Sequence, residues 1–398
     1  MQDDGAGDIG DLGALPLGHP ARRLFALDPE ADFLNNGSFG ACPLPVTAAQ
    51  DAIRREVERQ PVAFFADEAP RRIRAAAGRL AAFLGAAADD VVFVENATAG
   101  MNAVLRSLRF EPGDEILTTD HVYGAVRQVL THLERQHGVV TVEARLPWPV
   151  TGEDELVAAV ESRITERTRL LVVDHIASRS ALILPVARLA AMARARGLQV
   201  LVDGAHAPGQ ILLDVPALGA DWVVGNCHKW LFAPRGAGFL WARRGAQEAL
   251  HPPVISHGYG RGFVAEFDWI GTRDLSAWLA VPAAIDFLTA LGVERVRNRN
   301  HVLAMAMGET IASAWSTGLG APRDMYGAMV TIRVPGSAPA TWEAGGALRQ
   351  RLWREHRVEV PVMPVGDALH ARISAQIFNV PQDYRRLAAT LPALAAAL

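Results

Sequence analysis

The chain has 398 residues, a formal net charge of −4, and hydrophobic residues at half of its positions. That is enough apolar material for a large core and for more than one domain, and the mildly acidic balance argues against a nucleic-acid or anionic-membrane partner. The two cysteines, Cys42 and Cys227, form no CxxC pair, which argues against a disulfide framework and a cysteine-based metal site and makes a reducing cytoplasm the expected home.

In chain order, residues 1–20 are rich in Asp, Gly and Pro, lack a basic segment followed by an apolar one, and are expected to form a loose tail rather than a signal peptide. Residues 21–45 read as irregular and are expected to dock on the domain that follows. Strands are predicted at VVFV (91–94), EILTT (115–119), VVTVEA (139–144), RLLVVD (169–174), LQVLVD (198–203), WVVG (222–225) and GFLWA (238–242). Helical patterns lie between them, at 155–164 and at 185–197, where a glycine supplies the C-terminal stop. Strand and helix alternating at this pitch specify an α/β fold whose mostly parallel seven-stranded sheet lies between helices. Beyond residue 300 the pattern changes: helices at 301–316, 341–356 and 382–398 enclose strands at 328–334, 358–363 and 371–375. The expected division is a large α/β domain over 21–290 and a smaller C-terminal α+β domain over 291–398. No uninterrupted apolar run approaches the ~18 residues of a membrane helix.

Ligands of open parallel sheets sit beyond the carboxyl ends of the strands, and the residues there are polar. Asn96-Ala97-Thr98 follow the first strand, His121 and Tyr123 the second, and His175 and Ser178 the fourth. Asp203 ends the fifth with His206 just behind, and Asn226-Cys227-His228-Lys229 follow the sixth. Lys229 precedes Trp230-Leu231-Phe232, where its ammonium can hardly avoid burial; desolvation lowers a lysine pKa and makes the amine nucleophilic. A carboxylate and a desolvated lysine at one sheet edge suit pyridoxal phosphate chemistry, with the lysine forming a Schiff base and the aspartate keeping the pyridine nitrogen protonated. Taken singly, Asp203 could cap a turn and Lys229 could reach water. Asn96-Ala97-Thr98 opens an amphipathic helix, whose N-terminus can hold a phosphate with help from the Thr98 hydroxyl.

VDGAHAPG (202–209) followed by GNCHKWLFAPRGAGFL (225–240) resembles the fold-type-I, class V aminotransferase superfamily of pyridoxal-phosphate enzymes. FLNNGSFG (33–40), DHVYGAV (120–126), DHIASRSALILPV (174–186) and FDWIGTRDLSAWLAVPAAIDF (267–287) are similar to its isopenicillin N epimerase-like branch. The resemblance runs from about residue 30 to the end. It implies pyridoxal 5′-phosphate linked to Lys229, which is also the acid/base at the substrate Cα, and Asp203 on the ring nitrogen. It implies His206 or Ser178 near the ring's 3-oxygen, Tyr123 (or His121) on the ring face, and Ala97, Thr98, Asn226 and His228 on the phosphate. Thr272 would reach the phosphate of a neighbouring subunit in a homodimer with shared active sites. Arg372 would clamp the α-carboxylate of a small amino-acid-type substrate, with Asn36 and Ser38 on the substrate side.

Two departures from the resembled pattern stand out. Cys227 takes the place of a small glycine, and Arg179-Ser180-Ala181 stands where Thr-Thr-Gly is common. The segment MPVGDALHARIS (363–374) lacks the cysteine that persulfide-forming desulfurases of the superfamily carry there. Three chemistries at Cα remain: epimerisation or racemisation, placed first on the resemblance, then C–S (β-)lyase chemistry, then transamination. A binding-only regulatory protein would be expected to lack Asp203 or Lys229, and the acidic segment of ~30 residues ahead of the fold reads as too short for a winged helix and of the wrong sign for DNA.

Overall fold

A computed structural model describes residues 12–398. Its strands, in chain order, are β1 (Asp32–Phe33), β2 (Val91–Val94), β3 (Glu115–Thr119), β4 (Val140–Ala144), β5 (Thr168–Asp174), β6 (Gln199–Asp203), β7 (Trp222–Asn226), β8 (Gly238–Ala242), β9 (Met329–Arg333), β10 (Val358–Glu359), β11 (Val362–Val365) and β12 (Ala368–Ser374).

Strands β2 to β8 build one seven-stranded sheet in the order β2-β8-β7-β6-β5-β3-β4. Only β8 runs against its neighbours, β2 and β7. The link from β7 to β8 is too short for a crossover, so the chain must turn back. β2, β3, β5, β6, β7 and β8 are buried over nearly their whole length, as expected of a sheet covered on both faces. This sheet agrees with the fold-type-I architecture that the sequence resemblance implies.

Beyond this sheet, β9, β11 and β12 form an antiparallel sheet of three strands. The run 358–363, expected as one strand, is two. Pro361 lies between β10 and β11, and a residue without an N–H cannot continue a ladder. The helix expected at 301–316 begins earlier, as Val293–Ala314. Its first turns, VERVRNRN, are too polar to show an apolar stripe.

The N-terminal region departs most from expectation. Residues 1–11 lie outside the described residues, but the rest of the expected loose tail is tied down. Leu15 is buried, the Gly18 N–H donates to Ile377 O, and Arg295 donates to the carbonyls of Gly13 and Leu15. The segment 21–45 docks on both parts of the molecule rather than on the large one alone. β1 pairs in parallel with β10, and Leu34 packs in the same apolar cluster as β9 and β12. The short helix Asn36–Phe39 lies against the helix Cys227–Trp230.

Candidate active site

A cavity of ≈ 480 Å³ opens at the carboxyl ends of β5, β6 and β7. Of the residues singled out in the sequence, Ser38, Ala97, Thr98, Tyr123, Ser178, Asp203, His206, Asn226, His228 and Lys229 line it. Phe39, Glu95, Asp174 and Arg235 line it as well, and none of these four was expected there. Asp174 alone carried a readable signal. RLLVVD and LQVLVD are both apolar strands that end in aspartate.

Lys229 stands at the back of the cavity. Burial, then the Arg372 guanidinium, pull its amine down to about 7, against the weaker opposing pull of Asp203 and Asp174. Its Nζ lies 3.1 Å from His206 Nε2. Trp230 Nε1 approaches His206 Nδ1 at 3.4 Å. An indole only donates, so Nδ1 is the acceptor and the imidazole proton sits on Nε2, directed at Lys229. An amine that accepts a hydrogen bond is neutral, in agreement with its lowered pKa. Burial also holds the His206 imidazole neutral, well below its ordinary range.

The backbone around Lys229 is fixed from the N-terminal segment. Asn36 Nδ2 donates to Lys229 O at 3.0 Å, and Asn36 Oδ1 accepts from Ala41 N at 3.1 Å. Asn36 therefore does not line the substrate side as expected; both ends of its amide are committed to the backbone and it is fully buried. Gly40 has φ +68°, and a Cβ there would overlap the His228 carbonyl and lie 2.8 Å from Lys229 O. Only glycine permits this approach.

Asp203 is buried, and Ala205 N donates to its Oδ1 at 2.9 Å. It has no salt-bridge partner among the described residues. A carboxylate so enclosed calls for a cation, and a protonated ring nitrogen fits the need. At the other end of the cavity the helix Ala97–Ser107 begins. Asn96 Oδ1 accepts from Ala99 N, and Asn226 Oδ1 accepts from Ala97 N at 2.8 Å. The expected phosphate donors Ala97 N and Asn226 are thus partly used on each other. The Thr98 amide and hydroxyl and the Asn226 NH2 have no protein partner among the described residues. His228 Nδ1 faces Ala237 O at 3.2 Å and must donate to it, so Nε2 bears the lone pair while burial keeps the ring near 4. A phosphate beside it would favour the imidazolium. With a carboxylate, an amine and an amide-lined helix start around one cavity, the residues present fit pyridoxal phosphate.

Arg372 is buried and pulled down to about 10 by desolvation, so it keeps its charge at neutral pH. It donates to Ser178 O and, at 3.3 Å, to both Ser178 Oγ and Ser38 Oγ. Those two serines line the cavity, whereas Arg372, expected to clamp the substrate directly, sits behind them and does not line it. Tyr123 is 43% exposed and lines the cavity, whereas His121 is buried, 2.9 Å from Ser180 Oγ and edge-on to Trp148. Of the two, Tyr123 is placed to meet a ligand. Thr272 is exposed and outside its own chain's cavity, next to Arg273, which pairs with Glu95 and lies over the Trp278 ring at 3.7 Å. Cys227 is buried, and burial raises its thiol pKa, so it behaves as a small apolar residue. β11 and β12 form a tight hairpin around Gly366, at the place where a desulfurase would carry its cysteine. Among the described residues, no cluster of His, Cys, Asp and Glu could hold a metal ion, and no single helix is long and apolar enough to cross a membrane.

A sequence model of the family described as "Aminotransferase class-V" matches residues 52–344. The chain belongs to the class V aminotransferase family. Relatives include an isopenicillin N epimerase of Amycolatopsis lactamdurans, 37% identical over 94% of this chain and 98% of that protein. A probable chloroplastic L-cysteine desulfhydrase of Arabidopsis thaliana is 35% identical over 90% of this chain and 82% of its own. In three dimensions the chain is similar to a cysteine desulfurase from Thermococcus onnurineus NA1, with TM-score 0.77, 20% identity, and coverage of 96% and 99% of the two chains. The cystine C–S lyase C-DES, solved with its product cysteine persulfide, gives TM-score 0.78 at 20% identity, covering 92% and 98%. This class V enzyme depends on pyridoxal phosphate.

Proposed function

We propose that this enzyme inverts the Cα configuration of an amino acid, or of a metabolite that presents one. Pyridoxal phosphate, once bound, supplies an electron sink that acidifies the substrate Cα–H. The chain's residues decide which bond is used. Arg372, with Ser38 and Ser178 between it and the cavity, orients the α-carboxylate. Lys229, its amine lowered to about 7, takes or returns a proton on its side. Epimerisation needs a second proton carrier, and the observation that carries this reading is Tyr123, whose ring lines the same cavity as Lys229. The epimerase relatives, with coverage close to full length, support the same reading.

A C–S lyase is the second reading, supported by relatives named L-cysteine desulfhydrase at 34–35% identity. It requires only that Lys229 take the Cα proton and hand one to a departing thiol. We further propose a homodimer, in which exposed Thr272 reaches the neighbouring site, and a cytoplasmic location, in keeping with two free cysteines.

The test is an amino-acid panel incubated in deuterated water. Deuterium at Cα with both enantiomers recovered supports epimerisation. Pyruvate and ammonia, with sulfide from cysteine, would replace it with the lyase, and a requirement for keto acids would indicate transamination. Tyr123→Phe should reduce inversion by roughly 10²-fold or more, in the range of general acid–base contributions, yet leave Cα exchange with retention.

A further inference from the structure

Two aspartates face this cavity. Asp174 ends β5 and Asp203 ends β6, and the strands pair in parallel with these residues in direct register. Neighbouring strands lie about 4.8 Å apart, and residues in register project to the same face, so the two carboxyl groups leave the sheet side by side. Both are buried and both line the cavity. Their hydrogen bonding differs. Asp203 accepts from Ala205 N. The N–H groups of Asp174 and Tyr123 point at the Asp174 carboxyl, but its Oδ2 is buried with no partner.

The surroundings offer Asp174 no neutralising contact. Arg179, from the loop after β5, lies 5.5 Å from the Trp342 ring and forms no salt bridge with Asp174, and its charge draws the carboxyl down less than burial and Asp203 push it up. Lys229, from the helix after β7, has its amine lowered to about 7 by burial and forms no salt bridge with Asp174. His175, next along the chain, and His121, after β3, are held near 4 by burial, and His206 is neutral too. Two dry carboxylates side by side cannot both be ionised. An oxygen that no donor reaches is an unsatisfied acceptor when the group is ionised, but as a carboxylic O–H it is a donor itself.

We propose that Asp174 holds a proton and acts as a neutral positioning residue beside Asp203, leaving a single negative charge to face the cofactor's ring nitrogen. This rests on the reading of Asp203 as the partner of that nitrogen. Burial, and then Asp203 itself, push the Asp174 carboxyl far upward, which agrees with the geometry. An ionised Asp174 adds to the upward pull of Asp203 on the Lys229 amine, and a protonated one leaves that pull to Asp203 alone.

The test uses full-length protein loaded with pyridoxal phosphate, compared with Asp174→Asn and Asp203→Asn by infrared difference spectroscopy at pH 7. The C=O stretch of one protonated carboxyl should be present in the wild type, absent in D174N and retained in D203N. A wild type without that band, or a D174N protein that keeps it, overturns the proposal. If D174N fails to fold, the wild-type and D203N spectra still decide. A proton count supplies the second readout. On unfolding at pH 7, wild type should release about one proton more than D174N, read with an indicator dye, because an unfolded aspartate ionises near 3.9. Equal release overturns the proposal. The count needs no cofactor, so failure to develop the cofactor's visible band would sink the reading of Asp203 without touching this one.

Discussion

Replacing Lys229 by methionine should change how the cofactor-free protein responds to pH. The fold lowers the Lys229 amine from 10.5 to about 7, a gap of about 3.5 on the pH scale. At 1.36 kcal/mol for each pH unit this amounts to roughly 5 kcal/mol, an upper bound because the amine faces water in the cavity. In the window from about 7 to 10.5 the unfolded chain holds a proton here that the folded chain does not. Wild-type stability therefore rises with pH across that window, and the full penalty is present below it. Lys229→Met removes the titration at nearly constant volume. The variant's stability relative to wild type should be greatest at pH 6 and should fall by up to ~2.7 kcal/mol between pH 7 and pH 9. Urea unfolding of both proteins across this range measures the difference. Parallel curves would mean that the lysine is as well solvated as any surface amine, and the argument for a pre-activated nucleophile would fail.

Arg372→Gln should weaken substrate use by about 10- to 150-fold in kcat/KM, the equivalent of losing a charged hydrogen-bond donor worth ~1.5–3 kcal/mol, with the deficit concentrated in KM. Gly40→Ala should destabilise the protein and lower cofactor retention together, since its Cβ would meet the Lys229 carbonyl at 2.8 Å; a shift in thermal midpoint without cofactor loss would separate the two. Asn226→Ala removes the acceptor for Ala97 N and should lower stability by about 1 kcal/mol, the usual size of a lost helix cap, with weaker cofactor binding seen by dialysis. Thr272→Ala should weaken cofactor binding only in the associated protein, so dilution series that separate dimer from monomer should show the effect vanish.

The large sheet was legible because buried parallel strands are written as runs of Val, Leu and Ile, and all seven lie within two residues of their expected ends. The cavity was legible in outline because strand ends carry its polar groups. What failed did so for local reasons. Asp174 shares the strand-end position of Asp203, but nothing in a single strand shows that its neighbour in register is also acidic. Asn36 reads as a polar residue near a site, and only the fold reveals that its amide is used on the backbone of Lys229 and Ala41. Two-residue strands such as β1 and β10 leave no periodicity to read, and their pairing spans more than 300 positions of sequence.

The backbone of Lys229 depends on parts of the chain made far apart in time. Asn36, which holds its carbonyl, is itself held by a hydrogen bond from its own N–H to Ser374 Oγ at 2.8 Å. A ribosome has the lysine in hand long before it reaches position 374. During synthesis the sheet can therefore be complete while the reactive end is still unclamped, and a nascent chain released short of β12 would carry the nucleophile without the brace that aims it. The brace on Lys229 is therefore complete only once the last strand, β12, has been made.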